Sequence, residues 1–344
     1  MLVVRNEREH VECCLTSMLG QTLAPELYEI IVVDGLSGDG SRNVVEQVIA
    51  ANPNRAIRLL DNPGLILSCG WNIGIRAARG QYVIRPDAHG EVPPDFLEKS
   101  LEVMQAHPEA AAVGGVLDTV GQGWWGEVIA ALLSSRVGVG GSSFRVGGRP
   151  GPCETVVFGL YKRQDLLEIG GFDEGLALNQ DNVCHARLRA AGKVLFFDPG
   201  IRSTYICRGS LTKLWRQMFR RAQWLVLMFK HQRSSNFSPR YFVPLAFVLT
   251  ILALLVGGGW ARGLSALLAG LLGLYALVGL AVAAGRRLRP AQVLAFPLAM
   301  FVLHFSYGLG EIVGCLRLPF YRPDAARAHP LKEAHQPFPA ESRE

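Results

Sequence analysis

Short apolar runs alternate with segments of helical periodicity along the first 200 residues of the chain. This alternation predicts strands that alternate with helices, and hence an α/β domain built on a parallel sheet. Ligands of such sheets bind beyond the C-terminal ends of the strands, and Asp34 and Asp87 both lie at such ends. The predicted strands are Leu2–Val4, Glu29–Asp34, Ile57–Leu60 and Gln81–Ile84, and the predicted helices around them include Glu9–Leu19 and Cys69–Ala78.

Two further helices are marked by the residues at their ends. After the turn Gly35–Gly40, Ser41 is typical of a helix N-cap, and apolar residues then recur with helical spacing. A later helix, Asn182–Ala191, is followed by Gly192, which is typical of the position just after a helix. Asp181 stands at the beginning of this helix, where an acid either caps the helix or takes part in chemistry.

The hydrophobic pattern changes from Tyr241 onward, where three long apolar segments follow: Tyr241–Trp260, Leu264–Ala284 and Ala291–Leu316. About 20 apolar residues suffice for a helix to span a bilayer, so the first two segments predict transmembrane helices. The alternative is a helix buried in a protein core, which rarely runs this long without a charge. The third segment contains Pro297, His304 and Glu311, and the sequence leaves open whether this segment crosses the membrane.

A basic segment without acids lies immediately before these apolar segments. Residues 199–240 contain nine Lys and Arg residues, namely Arg202, Arg208, Lys213, Arg216, Arg220, Arg221, Lys230, Arg233 and Arg240. Within this segment, Leu211–Lys230 predicts an amphipathic helix with a basic face. Such a helix either lies on an anionic membrane surface or packs on its own domain with its basic face in water. No nucleic-acid-binding motif accompanies it, so we expect no nucleic-acid partner.

The basic residues also predict an orientation in the membrane. Lys and Arg are enriched on the cytoplasmic side of membrane proteins, which places residues 1–240 in the cytoplasm. The basic turn Gly285–Arg289 agrees, because two crossings return it to the same side. The tail carries Arg317, Arg322 and Arg327 and would lie outside if the third segment crosses. We therefore divide the chain into residues 1–200, an interfacial region 201–240, two to three transmembrane helices at 241–316, and a polar tail 317–344.

The composition supports this division and excludes several classes of protein. Only 19% of the 344 residues are charged, whereas soluble domains carry about 25%. The chain is neither disordered, nor collagen-like, nor a small disulfide scaffold. The seven cysteines form no C-x-x-C pair and no metal-ligand spacing, which indicates reduced thiols that face the cytoplasm. The segment Met1–Glu12 is short and charged, unlike a secretory signal.

Several polar and aromatic residues are candidates for chemistry. Asp87 and His89 lie two residues apart and project to one side of an extended segment, where they form either a cation site or an ordinary turn. Asp34 either hydrogen-bonds a ribose or caps a helix. Trp124 and Trp125 lie in a glycine-rich loop and either pack or stack against a sugar.

Taken in order, the motifs of the chain resemble those of the family 2 glycosyltransferases with the GT-A fold, across roughly residues 2–235. They are Arg5-Asn6-Glu7, Ile31-Val32-Val33-Asp34-Gly35-Leu36-Ser37-Gly38-Asp39-Gly40-Ser41, Asn72-Ile73-Gly74-Ile75-Arg76-Ala77-Ala78-Arg79-Gly80, Asp87-Ala88-His89, Gly170-Gly171-Phe172-Asp173-Glu174, Gln180-Asp181 and Arg189-Ala190-Ala191-Gly192. Within that family, the chain is similar to succinoglycan-type exopolysaccharide glucosyltransferases, which also carry a basic helix and C-terminal membrane helices.

The resemblance implies a role for each matching residue. Arg5, Glu7, Asp34 and Asp87 would bind the nucleotide-sugar, Asp87 and His89 would bind Mg²⁺ or Mn²⁺ in the place of the family's Asp-x-Asp, and Asp181 would be the catalytic base. Gln217, Arg220, Arg221 and Trp224 would contact the acceptor or the diphosphate. The chain departs from the family pattern at His89, which replaces the second Asp, and at Gln180, which replaces the usual Glu. Succinoglycan-type enzymes look similar to this chain at both positions.

The implied activity is that of an inverting hexosyltransferase in exopolysaccharide synthesis, multi-pass in the inner membrane, with its catalytic domain in the cytoplasm. We expect UDP-glucose as donor and a lipid-linked oligosaccharide as acceptor. Two alternatives within the class are a polyprenyl-phosphate glycosyltransferase and a processive polysaccharide synthase. An alternative from another class is an inactive membrane subunit that binds nucleotide-sugars.

Overall fold

The computed structural model describes residues 1–230, 239–322 and 331, and these form two compact units. Of the described residues, the first unit contains Met1–Gly115, Arg149–Ser203 and residue 331, and the second contains Val116–Gly148 with residues 204–230 and 239–322. Arg233, Arg327 and most of the predicted polar tail lie outside the described residues.

The first unit begins with a three-stranded parallel sheet and the helices that connect its strands. The elements are β1 (Leu2–Val4), α1 (Val11–Leu19), β2 (Ile30–Asp34), α2 (Ser41–Ala51), β3 (Ile57–Asp61) and α3 (Leu67–Ala77). The strand β2 is central and completely buried, and Asp34 at its end pairs in register with Val4 and Asp61. Gly70 lets α3 lie close to β1, because a Cβ atom at this glycine would stand 2.6 Å from Val3 Cγ1.

A second, mixed sheet follows in the chain. The next elements are β4 (Tyr82–Ile84), β5 (Gly90–Glu91), α4 (Phe96–Ala106), β6 (Ala110–Val120), α5 (Gly123–Leu133), α6 (Arg136–Val139), α7 (Ser143–Val146), β7 (Gly151–Pro152), β8 (Leu160–Lys162), α8 (Arg163–Glu168), α9 (Gln180–Ala190) and β9 (Val194–Ile206). The strand order is β4-β8-β6-β9-β5, with β7 paired to β9.

The prediction of one parallel sheet is therefore wrong for β4, which pairs antiparallel with β8. The alternation of strands and helices shows which segments are strands, but it does not show that the partner of β4 comes much later in the chain. The prediction of Ser41 as an N-cap is wrong by one residue. Gly40 is the N-cap in a left-handed conformation (φ 92°), which leaves the Ser41 hydroxyl available for other contacts.

The second unit contains the long apolar helices. After α10 (Leu211–Leu227) come α11 (Val243–Gly258), α12 (Arg262–Ala284) and α13 (Pro290–Arg317). Arg240–Gly258, Arg262–Ala284 and Pro290–Arg317 are three helical stretches long and apolar enough to cross a membrane, judged by length and composition. The bounds agree with the three predicted segments to within a few residues.

The amphipathic helix α10 packs along α13. A Cβ atom at Gly310 would lie 2.3 Å from the Phe219 carbonyl oxygen, so this glycine allows the two helices to approach closely. Leu214, Met218 and Ala222 are buried, whereas Arg216, Arg220 and Arg221 are exposed. The buried apolar residues of α10 are thus covered by the chain itself, and the predicted location of this helix at a membrane surface stays a prediction.

Trp124 and Trp125 lie in the first turn of α5 rather than in a loop, which corrects the prediction for this glycine-rich segment. Their rings meet edge to face at 4.7 Å, and Trp124 is 38% exposed. All seven cysteines are free thiols, with Cys13 and Cys315 exposed.

Candidate active site

The ends of β1 and β2 bring three of the predicted nucleotide-pocket residues together. Gly35 N, directly after β2, donates a hydrogen bond to Val4 O, directly before Arg5 (2.8 Å). The Arg5 side chain crosses Gly35 closely, since a Cβ atom there would lie 3.2 Å from Arg5 Cβ, and Arg5 Nη1 donates to Leu65 O at 3.1 Å. Arg5, Glu7 and Asp34 therefore belong to two loops that lie side by side.

Asp34 is almost completely buried and is engaged by its own turn. Its Oδ1 accepts a hydrogen bond from Ser37 Oγ at 2.6 Å, and its Oδ2 accepts one from Ser37 N at 3.2 Å. Arg42 Nη1, on α2, lies 3.5 Å from the same Oδ2 and 2.6 Å from Asp61 Oδ1. The carboxylate thus stabilises the loop at the end of β2, and its predicted contact with a nucleotide stays a prediction.

The loop that carries Glu7 is tied to the loop before α2. Glu7 N donates to Ser41 Oγ at 2.8 Å, and this hydroxyl in turn donates to Asp39 Oδ1 at 2.5 Å. Arg8 N donates to the other oxygen of Asp39 at 3.1 Å. The hydroxyl that would have capped α2 thus holds the Glu7 backbone in place.

The segment after β4 adds Asp87 and His89 to this group. The Met1 nitrogen donates to Ile84 O at 2.6 Å, which places the beginning of β1 beside the end of β4. His89 Nδ1 lies 3.6 Å from Glu7 Oε1. Burial raises the pKa of Asp87, and the neighbouring positive groups His89 and Arg85 offset part of this effect. Three predicted site residues, Glu7, Asp87 and His89, are therefore near one another.

Asp181 is held at the beginning of α9 by an arginine from the end of β4. Arg85 Nη2 lies 2.8 Å from Asp181 Oδ1, with Arg85 only 3% exposed and the Asp181 side chain 38% exposed. Burial is the largest single influence and lowers the pKa of Arg85, but Asp181, Tyr161 and Asp87 together outweigh it, so that this pKa lies above its ordinary value. Asp181 is thus an accessible carboxylate with a buried cationic partner.

A buried polar chain continues behind Arg85. Arg85 Nη2 donates to Tyr161 Oη at 3.4 Å, Tyr161 Oη shares a hydrogen bond of 2.7 Å with His185 Nε2, and His185 Nδ1 shares one of 2.8 Å with Thr155 Oγ1. Burial lowers the pKa of His185 to about 3, so the imidazole is neutral at physiological pH. The chain therefore carries one charge, that of Arg85.

The four predicted acceptor residues lie on α10, in the second unit. Gln217 Nε2 donates to Tyr205 Oη at 3.1 Å, and the Trp224 ring meets Tyr321 edge to face at 6.0 Å. Arg220 and Arg221 are exposed on the same helix. All four residues thus belong to one helix of the second unit, and their predicted contact with the acceptor or the diphosphate stays a prediction.

Arg85, Tyr161 and His185 are not among the site residues predicted from the sequence. A signal for Arg85 was present, because an arginine directly after the buried residues Val83 and Ile84 needs an anionic partner. The identity of that partner, and the alignment of Tyr161 with His185, depend on strands and helices that are distant in sequence.

Comparisons with known proteins show which proteins this chain resembles. Residues 1–166 match the family model described as Glycosyl transferase family 2. A relative from Methanococcus voltae, the dolichyl N-acetyl-alpha-D-glucosaminyl phosphate 3-beta-D-2,3-diacetamido-2,3-dideoxy-beta-D-glucuronosyltransferase, is 27% identical over 262 residues, which cover 74% of this chain and 79% of the relative. The succinoglycan biosynthesis protein ExoA of Rhizobium meliloti (strain 1021) is 31% identical over 216 residues, which cover 62% of this chain and 64% of ExoA. The match thus spans less than two thirds of ExoA.

A solved structure shows the fold. The mannosyltransferase PcManGT from Pyrobaculum calidifontis, determined in complex with GDP-Man and Mn²⁺, superposes with a TM-score of 0.56 at 20% identity, and the match covers 93% of this chain and 86% of that one. The predicted GT-A fold of the α/β domain is confirmed by this similarity together with the family match.

Proposed function

Because the N-terminal part of this chain, residues 1–166, is a family 2 glycosyltransferase domain, we propose that the protein is a membrane-bound, inverting hexosyltransferase that transfers glucose from UDP-glucose to a lipid-linked oligosaccharide in exopolysaccharide synthesis. The observation that carries the proposal is the ion pair between Asp181, an accessible carboxylate, and Arg85. Arg85 precedes Asp87 by two residues, so the partner of the candidate base and the candidate ligand of the donor diphosphate belong to one short segment.

The donor would bind at the loops after β1, β2 and β4. Arg5, Glu7 and Asp34 supply a cation and two carboxylates at the first two of these loops, as a nucleotide pocket of this family requires. The side-by-side arrangement of the loops, through the Gly35–Val4 hydrogen bond, supports a single pocket. Ligands of such domains bind at strand C-terminal ends.

The carboxylate of Asp87 and the imidazole of His89 are suitable ligands for a divalent cation that also binds the diphosphate of the nucleotide-sugar. Among the described residues, no three His, Cys, Asp or Glu side chains form a ready-made metal cage, and a Mg²⁺ ion on a phosphate needs only one or two protein ligands. Imidazole favours Mn²⁺ over Mg²⁺. When bound, the cation would neutralise charge that develops on the departing diphosphate.

Asp181 would act as the general base in a single displacement. The acceptor oxygen forms a bond to the anomeric carbon while the bond from that carbon to the diphosphate oxygen breaks, and the acceptor proton passes to the Asp181 carboxylate. The buried partner Arg85 lies 2.8 Å from one oxygen of this carboxylate and would hold the carboxylate in place for the transfer.

The acceptor would reach the site from the membrane. The relative from Methanococcus voltae is named as a transferase onto a dolichyl-phosphate-linked sugar, which supports a lipid-linked saccharide. ExoA is named as a succinoglycan biosynthesis protein, which supports a role in exopolysaccharide synthesis. The exposed Arg220 and Arg221, with Gln217 and Trp224, would contact its anionic diphosphate from α10, which packs on the apolar helix α13.

The proposal includes an inner-membrane location with a cytoplasmic catalytic domain, and contacts made beside the apolar helices support it. Arg286 Nη2, in the turn after α12, donates to Ser134 O just after α5, and Gln292 Nε2 donates to Glu127 Oε2 within α5. These contacts support the location of the basic turn Gly285–Arg289 on the same side of the membrane as α5. Two membrane crossings, by α11 and α12, would bring the chain back to that side.

The test is a donor panel followed by transfer. Purified protein in detergent with Mn²⁺ is heated with UDP- and GDP-sugars, and the donor raises the melting temperature because it binds the native state alone. Transfer of labelled sugar to a lipid-linked saccharide is then measured for the wild type and for D181N, with D95N as control, since Asp95 pairs with Lys99 on the surface.

We expect UDP-glucose to give the shift, D181N to abolish transfer, and D95N to transfer normally. A shift by another sugar nucleotide alone would replace the donor, and unimpaired transfer by D181N would remove Asp181 from the mechanism. A ladder of long products on a gel would contradict single addition in favour of a processive synthase.

A further inference from the structure

We propose that Arg85 is a positioning residue for the Asp181 carboxylate and that Tyr161 and His185 position Arg85 in turn. The inference rests on the proposed function, because Arg85 has this task only if Asp181 is the base. It adds to that function a buried network that sets the orientation of the base.

The location of the Arg85 guanidinium is fixed by aromatic rings. Its Cζ lies 4.0 Å from the centroid of the Trp71 ring and 5.0 Å from that of Phe172, and all three residues are at most 3% exposed. Cation–π attraction favours this position, and burial excludes the water that would otherwise solvate the guanidinium. The cation therefore has little freedom to follow a carboxylate that moves.

The contact with Asp181 leaves one side of that carboxylate accessible. Asp181 Oδ1 is buried and forms an ion pair with Arg85 Nη2 at 2.8 Å that lacks hydrogen-bond geometry, whereas 38% of the side chain is exposed. The accessible surface therefore lies on the remaining side-chain atoms, where an acceptor hydroxyl can approach. Arg85 thus holds one oxygen and leaves the rest of the group for chemistry.

The network begins and ends on the same helix. From Asp181 it runs through Arg85 to Tyr161 and then to His185, and Asp181 and His185 both belong to α9. Residues four apart lie on one face of a helix, one turn above the other. The cycle therefore fixes the first turn of α9 relative to the end of β4 through two side chains of the helix.

The same segment carries the donor-site residue Asp87. Because only Pro86 separates Arg85 from Asp87, a shift of this stretch would move the partner of the base and the candidate cation ligand together. A general base acts within about 3 Å of its proton, and a displacement of about 1 Å can cost a factor of about 100 in rate.

The test compares three variants in detergent with Mn²⁺. The donor is UDP-glucose, or whichever sugar nucleotide of the panel raises the melting temperature, and the acceptor is a lipid-linked saccharide. R85K keeps the charge but loses the planar fork of the guanidinium. Y161F removes only the hydroxyl behind Arg85. R58K is the matched control, because Arg58 pairs with Glu29 at 2.9 Å away from the site.

We expect R85K to lower kcat about 100-fold and Y161F about 10-fold, with the donor KM and the donor-induced melting shift unchanged within about threefold. R58K keeps the wild-type kcat. If R85K simply failed to fold, the donor-induced melting shift would be reduced as well. In that case Y161F, which keeps the aromatic ring, tests the positioning role by its kcat.

The D181N arm separates this inference from the proposed function. If D181N abolishes transfer while R85K and Y161F keep kcat within about twofold of the wild type, the positioning role is wrong and the base stands. If D181N transfers normally, the proposed function is wrong, and the positioning role with it.

Discussion

The Glu7 carboxylate and the His89 imidazole lie 3.6 Å apart, although they follow two different strands of the α/β domain. Glu7 is in the loop after β1, and His89 is in the segment after β4. This contact brings the candidate cation ligands next to the candidate nucleotide loops, as a donor site for a nucleoside diphosphate sugar requires. Several measurable consequences follow from this arrangement and from the network behind it.

The first prediction concerns the metal. We expect H89D, which places a second carboxylate after Asp87, to shift the preference from Mn²⁺ toward Mg²⁺, because carboxylate oxygens suit Mg²⁺ better than imidazole does. The ratio of initial transfer rates with Mg²⁺ and with Mn²⁺ measures this. H10D, on the residue before α1, serves as the control and leaves the ratio unchanged. A ratio identical in H89D and wild type would remove His89 from the cation site.

The second prediction concerns the reach of the base. D181E keeps the carboxylate but extends it by one methylene, which pushes it off its contact with Arg85. We expect kcat to fall about 100-fold with little change in the donor KM, because orientation rather than binding is lost. Steady-state kinetics with varied donor measure both constants. Wild-type kcat in D181E would mean that the carboxylate needs no fixed position.

The third prediction concerns pH and stability through His185. Its pKa is lowered by burial to about 3 in the folded state, against an ordinary 6.5. Below pH 6.5 the unfolded chain therefore binds a proton that the folded chain does not, so stability is complete above this pH and falls as the pH drops toward 3. We expect a loss of about 2 kcal/mol between pH 8 and pH 5 from this group.

The measurement is the free energy of unfolding in detergent, followed by tryptophan fluorescence at several pH values. H185Q cannot titrate and gives a flatter pH dependence, although its stability at pH 8 is lower than that of the wild type. An equal slope in H185Q and wild type would contradict the assignment.

The fourth prediction concerns the packing of α3 on β1. G70A introduces a methyl group 2.6 Å from Val3 Cγ1, and we expect it to destabilise the fold by about 1–3 kcal/mol, as overpacking of a core does. G38A is the matched control, because nothing lies within 4 Å of a Cβ atom there. Melting temperatures of the two variants provide the comparison, and equal values would contradict the close approach of α3 and β1.

The fifth prediction concerns topology. In a cysteine-free background, a cysteine in place of Arg287, after α12, is expected to react with a membrane-impermeant maleimide from the cytoplasmic side. A cysteine in place of Trp260, which is 86% exposed between α11 and α12, is expected to react from the opposite side. Labelling of both positions from one side of sealed vesicles would contradict two crossings.

Much of this protein could be inferred from local patterns of residues. Hydrophobic periodicity predicts the strands β2 and β3 and the helices α1 and α3. The length of the uncharged apolar segments predicts the three long helices. The motifs around Asp34, Asp87 and Asp181 depend on local spacing, which is why they indicate a resemblance to the family whose model matches residues 1–166.

The sequence alone could not show which of these elements meet. The antiparallel pairing of β4 with β8, the use of Ser41 to hold Glu7, and the packing of α10 on α13 each join segments that are far apart in the chain. Local propensity carries no information about such pairings, because they are decided by which apolar surfaces fit together in the core.

The sequence by itself thus determined the α/β domain, the apolar helices and the identity of the candidate acids. Only the tertiary structure decided that Arg85 is the partner of Asp181 and that Tyr161 and His185 stand behind it. The physical reason is that a buried cation must find an anion in three dimensions, and the strands and helices that deliver it are brought together only when the core folds.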